Sequence, residues 1–265
     1  MHTEFRNILF EISDGIGTVT FNRPERLNSI ADATHGELRA ALAQVRADRS
    51  VRALVITGAG RAFCAGQDLN DRKTAPDGAP PDLGASIENN YKPFVLALRS
   101  LPIPVIAAVN GVSAGAGASL ALACDVVVAA RSASFVQAFC RLGLVPDAGG
   151  TYFLARNLGA PRAMGLALFG DKLSAEQAAD WGLIWKCVDD AELMSTVREL
   201  AGRLASGPTR GYARTKQAIY AAEHHLLEQQ IDLERDFQRE LGRSRDYREG
   251  VDAFLAKRPP QFTGE

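Results

Sequence analysis

Two apolar runs that break into glycine carry the first chemical signal in this 265-residue chain. One is Ile56-Thr-Gly-Ala-Gly-Arg-Ala-Phe-Cys-Ala-Gly-Gln-Asp-Leu69 and the other Val105-Ile-Ala-Ala-Val-Asn-Gly-Val-Ser-Ala-Gly-Ala-Gly-Ala-Ser-Leu120. Each reads as a strand that stops where the backbone must approach something closely, which small residues permit. Two such turns can aim two peptide N–H groups at one oxygen, the arrangement that stabilises an oxyanion.

Other chemistries find less support. Gly111-Val-Ser113-Ala-Gly115 matches the G-x-S-x-G elbow of a serine hydrolase with Ser113 as nucleophile, at a point where a strand turns into a helix. That reaction also needs an acid and a histidine, and the chain offers only His2, His35, His224 and His225, the last two in a charged helical region that suits solvation. Gly115-Ala-Gly117 lacks the third glycine and the downstream acid of a dinucleotide site. There is no Gly-Lys-Ser/Thr phosphate loop and no metal-ligand spacing, so no metal and no separate cofactor are expected.

The elements that would hold the turns follow from periodicity. Residues 8–12 and 18–21 alternate around Ser13-Asp-Gly-Ile-Gly17, predicting a hairpin. Leu38, Ala41, Leu42 and Val45 predict a helix with Asp32 as N-cap. Strands are expected over 53–57, 105–109 and 125–129, with helices over 86–99 and 114–123. Residues 71–84, rich in Pro, Gly, Asp and Lys, read as a surface loop or lid. Alternating strands and helices argue for an α/β core over 1–190. Residues 192–205, 209–222, 226–241 and 246–256 all read as helix, so 191–265 is a helical segment suited to packing on another subunit.

Composition narrows the setting. With 46% hydrophobic residues the chain can bury one large core, and a net charge of −1 creates no field for nucleic acid or an anionic membrane. Cys64, Cys124, Cys140 and Cys187 are far apart and read as reduced thiols. Without an apolar leader or a long apolar run, a cytoplasmic location is expected.

Six motifs in order resemble the enoyl-CoA hydratase/isomerase, or crotonase, superfamily. They are Asn22-Arg-Pro-Glu-Arg-Leu-Asn28, Ala62-Phe-Cys-Ala-Gly-Gln-Asp-Leu69, Ala108-Val-Asn-Gly111, Ala123-Cys-Asp125, Gly143-Leu-Val-Pro-Asp-Ala-Gly-Gly150 and Tyr247-Arg-Glu-Gly-Val-Asp-Ala-Phe254. The resemblance implies a spiral of ββα units and an acyl-CoA substrate whose thioester oxygen is held by the backbone N–H groups matching Gln67 and Ala116. It implies that Arg26, Leu27, Ala65, Asp68, Leu69, Asn70 and Phe139 border the ligand, with Phe254 and Lys257 reaching coenzyme A from a neighbouring subunit. Family members form trimers, commonly paired into hexamers.

The reaction turns on the acids. Where similar hydratases carry two glutamates this chain has Ser119 and Phe139, neither able to act as a base, which disfavours hydration. Asp147 is the remaining candidate, although it could instead cap the helix expected from 149–151. One carboxylate among Phe135, Phe139 and Leu144 suits proton shuttling, with burial raising its pKa. Ser134-Phe-Val-Gln-Ala-Phe139 and residues 142–147 and 173–185 look most like the family branch that isomerises ring 1,2-epoxyphenylacetyl-CoA to an oxepin, although Ser174-Ala-Glu-Gln177 is also a capping box. Aroyl-CoA dehalogenases place a nucleophile where Asp147 stands, but residues 137–140 lack their tryptophan and histidine. A non-catalytic acyl-CoA-binding relative would have no use for that aspartate.

Overall fold

The computed structural model describes residues 5–72, 78 and 80–265. Within them the chain winds as a spiral between two sheets. The larger has the order β1 (Ile8–Ser13), β2 (Ile16–Phe21), β3 (Ala53–Gly58), β5 (Val105–Val109), β7 (Val126–Ala130) and β10 (Lys186–Val188). The smaller has the order β4 (Ala62–Cys64), β6 (Val112–Ala114), β8 (Ser134–Val136) and β9 (Lys172–Ser174). Strands β3, β5 and β7 are each followed by a strand of the smaller sheet and then a helix, which is the expected ββα repeat.

Sequence pattern explains the layers. Strand β5 is buried at every residue, as a parallel strand covered on both faces must be, and β2 alternates buried and half-buried positions. The hairpin register pairs Ser13 with Ile16, and Asp14 and Gly15 supply the positive φ its two-residue turn needs.

Helix α1 (Asp32–Ala47) buries Leu38, Ala41, Leu42 and Val45 as the spacing predicts. Its N-cap is Ala31 rather than Asp32, and the Asp71 carboxylate accepts the Asp32 N–H at 2.9 Å. A carboxylate 39 residues away thus does the capping. The helix expected over 86–99 starts earlier, as α2 (Leu83–Ser86), a π turn (Ile87–Tyr91) and α3 (Lys92–Arg99). Most of the stretch read as a lid, 73–77 and 79, lies outside the described residues. Helix α4 (Ala116–Leu122) is shorter than expected because Ala114 ends β6.

Helix α5 (Gly150–Phe169) follows the Asp147 loop, and α6 (Ala175–Asp180) is capped by Ser174 Oγ, which accepts the Gln177 N–H at 3.2 Å. The C-terminal helices are α7 (Leu193–Ala205), α8 (Thr209–Ala222), α9 (Leu227–Leu241) and α10 (Arg245–Leu255). No helix among the described residues is long and apolar enough to cross a membrane.

Candidate active site

The first glycine turn is splinted by the segment before α1. Leu27 and Asn28 both adopt left-handed backbone, φ 51° and 57°, which is costly for non-glycine residues and persists only where contacts enforce it. Those contacts are here. Leu27 O accepts the Ala65 N–H at 3.0 Å, and Asn28 Nδ2 donates to Ala59 O and Ala62 O at 2.9 and 2.7 Å. Ile30 brackets Gln67, its N–H going to Gly66 O and its carbonyl accepting from Asp68 N.

The second turn meets the first through backbone alone. Gly66 has φ +89°, and a Cβ there would lie 2.8 Å from Ala114 O and 3.3 Å from Ala116 N. At Gly117 a Cβ would lie 2.2 Å from Cys64 O, so only glycine lets α4 sit this close to β4. Ala116 is the first residue of α4, whose N–H has no partner within the helix, and the Gln67 N–H has no acceptor among the described residues. Two unengaged peptide N–H groups on adjoining backbone can receive one carbonyl oxygen.

Asp147 stands on the adjoining loop, followed by Ala148 and Gly149 at φ 50° and 86°. Helix α5 is capped by Gly149 with no side-chain bond, so Asp147 is not the N-cap its local sequence allows. Its Oδ1 is buried without a hydrogen-bond partner. Burial raises the carboxyl from an ordinary 3.8 to about 6, against the pull of the Arg72 guanidinium. Tyr91, whose hydroxyl donates to Gln67 Oε1 at 2.8 Å, is pushed up by burial and then by neighbouring charge that includes Asp147. Tyr91 therefore touches Gln67 directly and lies within the field of the Asp147 carboxylate.

Phe139 is buried at the rim of the second turn, its ring 3.8 Å from where a Gly115 Cβ would sit. Phe135 is also buried, whereas Leu144 is 42% exposed and lines no closed wall in the single chain. Ser119 is fully buried, and its Oγ lies 2.7 Å from where a Cβ on Gly150 would sit, so it packs against the first turn of α5 and offers no carboxylate. Ser113 is fully buried without a hydrogen-bond partner, His35 stacks on Tyr91, and His224 and His225 are exposed. The elbow pattern is a packing feature, and the serine-hydrolase reading falls.

The sequence profile of the enoyl-CoA hydratase/isomerase family matches residues 11–265. The chain belongs to this family. It is 60% identical over 258 residues to the 1,2-epoxyphenylacetyl-CoA isomerase of Escherichia coli (strain K12), covering 97% of this chain and 98% of that one. It is 50% identical over 260 residues to a probable enoyl-CoA hydratase of Rhodobacter capsulatus, covering 98% and 99%. Among solved structures, the enoyl-CoA hydratase/isomerase from Cupriavidus metallidurans CH34 superposes with a TM-score of 0.91 at 32% identity, covering 99% of this chain and 98% of that one. The protein is thus a crotonase-fold enzyme, and its spiral matches the family's.

Within that fold the remaining expected residues divide. Asp68 is buried, and its carboxylate accepts from Arg23 Nη2 at 2.9 Å and Asn70 N at 3.0 Å, making it a strut under the first turn. Arg26, Leu69 and Asn70 are exposed, and Ala65 and Leu27 are half-buried. Phe254 is 83% exposed and Lys257 is exposed at the end of α10, so the single chain leaves both uncovered.

Sequence reasoning missed Arg23, Arg72 and Tyr91. Tyr91, Phe94 and Leu98 follow an i, i+3, i+7 spacing that could have flagged the tyrosine as inward-facing. No group of three or more His, Cys, Asp or Glu among the described residues could hold a metal. A cavity of about 560 Å³ lined by Arg46, Arg52, Thr209 and Glu265 shares no residue with this site. Two of its arginines are already engaged, Arg46 by Ser100 Oγ and Arg52 by Thr209 Oγ1.

Proposed function

We propose that this enzyme isomerises acyl-coenzyme A thioesters, moving a proton between two carbons through Asp147 while the Gln67 and Ala116 N–H groups hold the thioester oxygen. The observation that carries this reading is the buried, unpartnered Asp147 Oδ1, with Ser119 and Phe139 where a hydratase would need acids. At neutral pH a carboxyl titrating near 6 is mostly ionised and ready to accept a proton, yet it holds that proton more readily than an exposed aspartate does. For a 3-enoyl ester, Asp147 takes a proton from C2, the electrons move into a dienolate, and the same proton returns to C4. Two preorganised donors stabilise the enolate oxygen by several kcal/mol.

The 60% identity to an isomerase of 1,2-epoxyphenylacetyl-CoA supports an aryl epoxide as a second substrate, whose C1–C2 bond would break to give the oxepin with no net movement of a proton between carbons. The 50% identical relative carries a hydratase name, but Ser119 offers no carboxylate and Phe139 puts apolar bulk on the rim. Coenzyme A would run past Arg26, Leu27, Leu69 and Asn70 and be met by Phe254 and Lys257 of a second copy. The exposed Leu226, Leu227, Ile231, Phe254 and Leu255 suit such an assembly, a trimer or hexamer built through residues 191–265. A panel of 2-enoyl, 3-enoyl and epoxyphenylacetyl esters followed by mass and ultraviolet spectra tests the reaction. Mass-neutral conversion supports isomerisation, and a gain of about 18 Da, one water, sinks it.

A further inference from the structure

Tyr91 is 2% exposed, and its hydroxyl proton is committed to Gln67 Oε1. Unusual backbone puts it there. Pro93 cannot donate to the helical ladder and crowds the carbonyl four residues back, and the chain answers with the π turn Ile87–Tyr91 just before it. That turn delivers Tyr91 to the face shared with Phe94 and Leu98, all three buried. His35 on α1 braces the ring edge-on, with centroids 4.6 Å apart at 82°. Burial lowers the His35 pKa to about 4, so the brace is neutral.

Gln67 follows Gly66, a residue at φ +89°, and the peptide plane between them is held at one edge by the 2.7 Å bond from the Ile30 N–H to Gly66 O. A hydrogen bond weakens steeply once its angle falls toward about 120°, so a small rotation of that plane removes much of an N–H donor's grip on an oxygen. The Ile30 bridge fixes the chain on either side of the Gln67 N–H, and the Gln67 side chain is held by the Tyr91 hydroxyl from the α3 side and by its own Nε2 donating to Asp68 O at 3.4 Å.

We propose that Tyr91 is a positioning residue: by holding the Gln67 side chain from the π turn, it fixes the direction of the Gln67 N–H toward the thioester oxygen. This rests on the reading that Gln67 is one of the two donors. The decisive comparison is Tyr91→Phe, Gln67→Met and the double variant, each bound to a cinnamoyl-type CoA ester whose absorption moves to the red as its carbonyl is polarised. Tyr91→Phe keeps the ring against His35 and should melt within a few degrees of the unaltered enzyme.

The expected result is a smaller red shift and about a tenfold fall in kcat with KM within threefold, the pattern of a lost transition-state contact. The double variant should lose no more than Gln67→Met alone, because both substitutions break one bond. A full red shift and unchanged kcat in Tyr91→Phe would overturn the proposal, as would additive losses, which would mean that the tyrosine touches the substrate itself. An unaltered enzyme that polarises the ester without mass-neutral turnover would sink the isomerase reading and leave this test standing.

Discussion

Replacing Asp147 by asparagine should make the protein more stable while removing its activity, and the size of the gain follows from the burial of one carboxyl. Folding moves that group from an ordinary 3.8 to about 6, so the native state binds more protons than the unfolded chain between those values. Stability therefore falls as pH rises from about 4 to about 6 and stays lower above it, by about 3 kcal/mol in total. Asparagine has nearly the same shape and no charge to desolvate. At pH 8 the Asp147→Asn variant should gain about 2–3 kcal/mol, or roughly 4–5 °C in melting midpoint for a chain of this length. At pH 4 the two proteins should melt together. The assay is thermal or urea unfolding of both across pH 4–8 at one protein concentration, so that assembly contributes equally. A variant no more stable than the parent at pH 8, or a gain of the same size at pH 4, would refute the assignment of Asp147 as a carboxylate strained for function.

Other consequences are open to direct measurement. On the proposed mechanism the ionised carboxylate accepts the proton, so kcat/KM should fall about tenfold per pH unit below roughly pH 6 and be flat above it; a profile without that limb removes Asp147 as the base. Gly66→Ala puts a methyl 2.8 Å from Ala114 O on backbone that favours glycine, and should cost about 1–3 kcal/mol in unfolding and at least about tenfold in kcat. Normal turnover in that variant would show that the two turns need not touch. Asp125 accepts from Lys216 Nζ and the Val105 N–H, both at 2.8 Å, and from the Tyr220 hydroxyl, docking α8 on the sheet. Asp125→Ala leaves the lysine buried and unpaired and should lower stability by about 3–5 kcal/mol, read by urea unfolding. A loss below about 1 kcal/mol would mean that water reaches this cluster.

Long elements announced themselves in the sequence and short ones did not. The apolar run of β5 and the breaks at Gly207-Pro208 and Gly242 between the last helices give strand and helix boundaries close to those observed. The smaller sheet consists of three-residue strands, too short for alternation to register, so it was reachable only through the family resemblance. That sheet sets the two glycine turns side by side. Asp32 looked like a cap because nothing local shows that Asp71 returns to do the work. For Asp147 the local sequence left a cap open beside the acid/base role, and its lack of a partner is a property of packing by segments far away in the chain. The motifs named the turns, and the contacts around Gly66 and Gly117 supplied what spacing could not, which is that the two backbones touch.

The most direct test of the account is turnover of a 3-enoyl-CoA ester by the unaltered protein and by Asp147→Asn, with ester binding measured alongside. The unaltered protein should convert the ester with no change of mass. The variant should bind it within about threefold and turn over at least about a thousandfold more slowly, as loss of a general acid/base predicts. Near-normal isomerisation by Asp147→Asn, or a product heavier by one water, would contradict the central claim.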